Sequence, residues 1–208
     1  MSRVPFFLEP NYNSKPEDFT EPHNTRMVRK FGSMEQFDRV KRRHGLIPRG
    51  KEVGLDEKCG FHQNQLDKRI QSSTMNSHRL ILYVAEIHGL ELCEQLYDEL
   101  NRRHFIEGGI LNDRNLLEEA LRTLELPAKA TAAALNFLND RERGRDQVLE
   151  LVERVNDLGI HSIPTLVVDG QYMMSGAARS DAVLEMLTKA VRNGLSGKKL
   201  FDIQVTST

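Results

Sequence analysis

Residues 165 to 175 read TLVVDGQYMMS, two short apolar runs on either side of Asp169-Gly170, and no other stretch narrows the fold so far. Asp-Gly supplies the positive φ values of a type I′ turn, so Thr165 to Val168 is predicted to pair with Gln171 to Ser175 as an antiparallel hairpin. A last helix follows from about Ser180 to Asn193, with Val183, Leu184, Leu187 and Val191 as its apolar face and Gly194 ending it. This helix is expected to pack on the hairpin.

Pro164 stands at the entrance to the first of these strands. Proline lacks the N–H that a central strand needs, so it marks a strand's start or edge, or else it follows a cis peptide bond. Local pattern alone does not choose between these readings.

Between residues 33 and 158 the punctuation is helical. SMEQFDRVKRRHG opens with Ser33 and Gln36 in capping-box spacing and closes at Gly45. After a Gly- and charge-rich loop, NSHRLILYVAEIHG places Leu80, Tyr83, Val84 and Ile87 at helical spacing and stops at Gly89. LELCEQLYDELNRRHFIEGG continues the pattern with Leu92, Leu96, Leu100 and Phe105. DRNLLEEALRTLEL, AKATAAALNFLND and RERGRDQVLELVERVNDLG complete five segments that should pack as a helical subdomain. Near the start, RVPFFLEP is a short apolar run bounded by Pro10, which reads as a buried strand in one sheet with the hairpin.

A chain of 208 residues can bury one good core, so a single domain over residues 1–208 is expected. Within it, residues 33–158 form a helical insertion and 159–194 the carboxyl-terminal hairpin and helix. Lys plus Arg number 29 against 30 for Asp plus Glu, a balance that favours neither nucleic acid nor an anionic membrane as partner. MSRVPFFLEPNYNSKPEDF is too soon polar to be a secretory signal and no apolar run reaches membrane-spanning length, so a cytoplasmic protein is expected. Cys59 and Cys93 are the only cysteines and form no C-x-x-C pair.

The order GIHSIPTLVV, tight hairpin, YMMSGA and final helix resembles the second half of a thioredoxin fold of the DsbA-like family. The pattern is most similar to its FrnE-like branch, related to 2-hydroxychromene-2-carboxylate isomerases and kappa-class glutathione transferases. PFFLEPN resembles the family's second strand, HRLILYVAEIHGL its helix bearing a His-Arg pair, and HFIEGGILND its Phe-x-Glu-Gly turn and following Asp. The matches cover roughly residues 4 to 193.

This resemblance implies an α/β fold, thioredoxin-like with a large helical insertion. It also implies that Pro164 is cis and that Ser162, Ile163, Pro164 and Thr165 hold a substrate, the Ile163 backbone pairing with it. The substrate would be a peptide or protein thiol or disulfide, or glutathione as cofactor in the isomerase and transferase relatives. The family's first strand, first helix and nucleophile, Cys of C-P-x-C or Ser, have no counterpart ahead of Val4. An incomplete chain without dithiol activity is therefore expected, with no catalytic residue of its own. A glutathione-dependent isomerase or transferase, or a non-catalytic binding remnant, is the alternative. The oligomeric state is left open.

Other clusters read as structure. Cys59 and His62 with His44 offer three ligands at irregular spacing, so no metal is expected. His78 and Arg79 match the family pair, but an Arg at a helix start also serves as a bridge to a neighbour. RVKRRH, residues 39 to 44, places cations near a helix C-terminus, where the dipole favours them without a ligand. Ser73 and Ala178 depart from the family's usual Asn and Gln and weaken substrate recognition.

Overall fold

The computed structural model describes residues 3–44, 69–176, 178–197 and 200–201. A 3₁₀ turn at Pro10–Ser14 leads to strand β1 (Thr20–Pro22), α1 (His23–Phe31) and α2 (Met34–His44). Then come β2 (Ile70–Ser72), α3 (Met75–His88), α4 (Leu90–Phe105), α5 (Arg114–Arg122), α6 (Ala128–Asn139) and α7 (Arg145–Asp157). The hairpin β3 (Thr165–Val168) and β4 (Tyr172–Ser175) and the helix α8 (Ser180–Arg192) close the chain.

The predicted cap sets the start of α2, where Ser33 Oγ accepts the Gln36 N–H at 3.2 Å, and the predicted stop at Gly45 lies outside the described residues. Asp113, not anticipated as a cap in the sequence, caps α5, its Oδ1 accepting the Asn115 N–H at 2.9 Å. Gly89 ends α3 at φ 87°, a conformation that costs a side-chain-bearing residue.

Helix α3 is buried on nearly every side and packs against α4, α6 and α7. Leu80, Val84, Leu96, Leu117, Leu121 and Leu138 are all fully buried, each contributing about 1.5–3 kcal/mol by leaving water. A second cluster joins Phe7, Met75, Leu82, Val148 and Leu151, with Val4, Val152 and Phe201 packed against it. The amino-terminal segment is held to α4 by Arg3, whose Nη2 meets Glu94 at 2.6 Å and whose guanidinium lies 3.6 Å from the Tyr97 ring centroid. Arg26, Arg29 and Lys30 of α1 converge on Glu9 at 2.6, 3.1 and 2.8 Å, which fastens the 3₁₀ turn to that helix.

Three features depart from the sequence reading. Residues 4 to 8 were expected as a strand beside the hairpin, but they belong to no strand, and β3 and β4 pair only with each other. The apolar run is used for packing instead: Phe7 enters the core, while Pro5 has no N–H to offer a ladder. Strands β1 and β2, antiparallel with Glu21 opposite Gln71, and helix α1 were not anticipated. Finally, α8 buries Met186 and Ala190, whereas Leu184, Leu187 and Val191, the expected inward face, are 65%, 40% and 66% exposed. No layer covers that side among the described residues, and polar ties join α8 to the hairpin. Asn193 Nδ2 donates to the Tyr172 hydroxyl at 2.8 Å, and Asp169 accepts the N–H groups of Ser196 and Gly197 at 2.6 and 2.8 Å. No helix among the described residues is long and apolar enough to cross a membrane.

Candidate functional site

The loop ahead of β3 is held by hydroxyl groups. Thr165 Oγ1 donates to the Ser162 carbonyl oxygen at 2.8 Å and lies 2.8 Å from Ser175 Oγ, which is 3.0 Å from Ser162 Oγ. Antiparallel register makes this possible, because Ser175 stands opposite Thr165 across the hairpin. The Pro164 carbonyl accepts the Gly176 N–H at 2.8 Å, extending the backbone pairing beyond the last ladder pair. The Ile163–Pro164 peptide is cis, the isomer that the family pattern implies.

Ser162, Ile163 and Pro164 are exposed and Thr165 is half-buried. Ile163 is 47% exposed, and its backbone N–H and C=O take no hydrogen bond among the described residues. An exposed backbone unit next to a strand can accept a further extended segment, with main-chain hydrogen bonds giving affinity and the neighbouring side chains giving selection. Ser175 was missed in the sequence reading. Its signal was the hairpin register, which sets a third hydroxyl against Ser162 and Thr165.

The other singled-out residues serve elsewhere. Arg79 is fully buried and donates to the carbonyl oxygens of Arg143 and Phe137 at 2.7 and 3.2 Å, to Asn76 Oδ1 at 2.8 Å and to the Asp140 carbonyl. Its donors satisfy the C-terminal end of α6, where helical carbonyls lack partners. Burial, then the charge of Arg114, lowers its pKa from the ordinary arginine value. His78 packs edge-on to Phe7 at 5.4 Å between centroids, and burial pushes its pKa down to about 4 against a hydrogen bond to the Phe6 backbone. Ser73 Oγ accepts the Met75 N–H at 3.2 Å and donates to Asn13 Oδ1 at 2.8 Å, so it fastens the start of α3. Ala178 is exposed, two residues ahead of α8.

Cys93 is buried in α4, with its Sγ 3.7 Å from the Ile81 carbonyl oxygen. Burial and then the Glu94 charge push its pKa up to about 11, the opposite of what an attacking thiol requires. Cys59, His62 and the His44 side chain lie outside the described residues. Among the described residues no group of three His, Cys, Asp or Glu side chains is placed to hold a metal. Arg39, Arg42 and Arg43 are exposed on α2.

A family model for the DSBA-like thioredoxin domain matches residues 49–188. Among solved structures, the chain is similar to a probable DsbA oxidoreductase from Streptomyces coelicolor. The two share 27% sequence identity with a TM-score of 0.70, over 95% of this chain and 77% of the other. A search of curated proteins gave no match.

Proposed function

From the premise that this chain belongs to the DsbA-like thioredoxin-domain family, we propose that it carries the substrate-holding half of a thiol–disulfide site. Ser162, Ile163, Pro164 and Thr165 would hold the backbone of an extended peptide or protein substrate, with the nucleophile coming from outside the described residues. The observation that carries this reading is the exposed, unpaired Ile163 backbone beside a loop tied down by three hydroxyls.

In such a site a cysteine thiolate attacks one sulfur of the substrate disulfide. A mixed disulfide forms, and the other substrate sulfur leaves as thiolate. Strand-like pairing at Ile163 would align the substrate for that displacement. Cys93, buried and with a raised pKa, does not supply the attacking sulfur. The 208 residues are accordingly proposed to lack dithiol exchange activity by themselves. The FrnE-like branch and the division into a helical insertion over 33–158 and a carboxyl unit over 159–194 belong to the same proposal.

The glutathione-dependent alternative draws on Ser162 and Ser175, either of which could turn its hydroxyl proton toward a bound thiolate, whereas the Thr165 hydroxyl already donates to the Ser162 carbonyl. A titration followed by amide NMR tests both. A cysteine-free extended peptide should shift the Ile163 and Thr165 amides saturably, and S-methylglutathione should do so only under the alternative. Unchanged amides with both ligands would overturn the assignment of this loop.

A further inference from the structure

The carbonyl groups on either side of Ile163 are both engaged inside the hairpin. Thr165 Oγ1 donates to the Ser162 carbonyl oxygen at 2.8 Å, and the Gly176 N–H donates to the Pro164 carbonyl oxygen at 2.8 Å. Between them, the Ile163 N–H and C=O take no hydrogen bond among the described residues.

Counting protons fixes the direction of each hydroxyl contact at this loop. A hydroxyl has one proton to give and two lone pairs to receive. The Thr165 proton goes to the Ser162 carbonyl, so at the 2.8 Å contact with Ser175 Oγ the threonine oxygen accepts and Ser175 donates. With that proton spent, Ser175 Oγ accepts from the Ser162 hydroxyl at 3.0 Å. One arrangement alone satisfies all three contacts: Ser162 O–H to Ser175, Ser175 O–H to Thr165, and Thr165 O–H back to the Ser162 carbonyl. In such a one-way chain each donation strengthens the next. The hairpin register supplies the middle link, because Ser175 stands opposite Thr165. Neither the backbone ladder nor the buried clusters use these hydroxyls.

The end of the chain is where it acts. The Ser162 carbonyl and the Ile163 N–H are the two ends of one planar peptide unit, so holding the oxygen sets the direction of the hydrogen. We propose that Thr165 and Ser175 are positioning residues whose hydroxyl chain holds the Ser162–Ile163 peptide plane and so aims the Ile163 N–H at a substrate backbone, a role that rests on the substrate-holding reading of this loop. Thr165 acts through the Ser162 carbonyl, and Ser175 acts through Thr165.

Backbone amide NMR relaxation of the full 208-residue chain, followed by titration with a cysteine-free extended peptide, tests this. Without peptide, the Ile163 amide should have an order parameter of about 0.85, falling toward about 0.6 in Thr165→Val, less in Ser175→Ala and least in Ser162→Ala. The peptide dissociation constant should rise in the same order, by about five-fold in Thr165→Val, with the urea midpoint unchanged in every variant. Thr165→Ser and Ser175→Thr, which keep the hydroxyls, should restore both readouts. An Ile163 amide equally ordered in the wild type, Thr165→Val and Ser175→Ala overturns the proposal. So does an effect of Ser162→Ala as large as that of Thr165→Val, because the chain would then not run in this direction. Peptide binding of wild-type strength in every variant also overturns it, while leaving the substrate reading in place. A wild type that binds no peptide yet shows the graded loss of order does the reverse: the positioning stands and the substrate reading falls.

Discussion

Arg79 Nη2 donates to the carbonyl oxygen of Phe137 at 3.2 Å and to that of Asp140, while Nη1 donates to Asn76 Oδ1 and Nε to the Arg143 carbonyl. One side chain thereby ties α3 to the end of α6 and to the turn before α7. Arg79→Met keeps much of the volume but leaves three carbonyls without this donor, and should cost about 3 kcal/mol in urea unfolding. Arg79→Lys should recover only part of that loss, because an ammonium cannot reproduce the planar fork. A midpoint unchanged in Arg79→Met would show that the residue is not structural.

His78 should make the fold sensitive to mild acid. Its folded pKa of about 4 lies below the ordinary value of 6.5, so the unfolded chain binds more protons between those limits. Stability should fall as pH drops from about 6.5 to about 4, with no further contribution from this residue at lower pH. Denaturant midpoints measured across that window should show a shallower decline in His78→Phe than in the wild type. Equal slopes would rule the assignment out.

Glu99 acts in a lower pH window. The hydrogen bond from Arg102, with a second from Arg103, holds its carboxyl down to about 2, against a desolvation effect that raises it. A depressed acid stabilises the fold above its unfolded pKa, and that contribution fades as pH falls from about 4.5 toward 2. Glu99→Gln should flatten this part of the profile while leaving the His78 window unchanged.

Asp169 links the hairpin turn to the segment after α8. Its carboxylate accepts two backbone N–H groups, from Ser196 and Gly197, while the residue itself holds the turn at φ 54°. Asp169→Asn keeps a side chain that tolerates this backbone conformation but loses the charge, whereas Asp169→Ala loses both. Faster hydrogen exchange at Ser196 and Gly197 is expected in both variants, more in the alanine. Exchange unaltered in either would contradict the link.

The helical part of this fold was legible because its signals are local. Ser33, Gly89 and the leucine spacing each act within one or two turns. The Asp169-Gly170 hairpin was legible for the same reason, since the dipeptide dictates its own turn. Strands β1 and β2 were not, because TEP and IQS are three residues each, carry no alternation and pair across a long sequence separation. Helix α1 did leave a signal, with His23, Met27 and Phe31 at i, i+4 and i+8 and Gly32 at the end. Residues 4 to 8 misled in the other direction: an apolar run states that a segment is buried, and only a neighbouring strand makes it part of a sheet. The loop at Pro164 was located by pattern, while its hydroxyl fastening by Ser175 required the cross-strand register.

A dithiothreitol-driven insulin reduction assay tests the proposal that the Ser162–Thr165 loop holds a substrate backbone while these 208 residues carry no exchange-active dithiol. The 208-residue protein should match the uncatalysed rate, as should Cys59→Ser with Cys93→Ser. Native alkylation should leave Cys93 unlabelled until the protein unfolds, as its burial and raised pKa require. Placing a strand–helix unit with C-P-x-C ahead of residue 1 should confer activity that Ile163→Asp diminishes. Insulin reduction by the 208 residues, abolished in the double serine variant, would show that Cys59 and Cys93 form an exchange site.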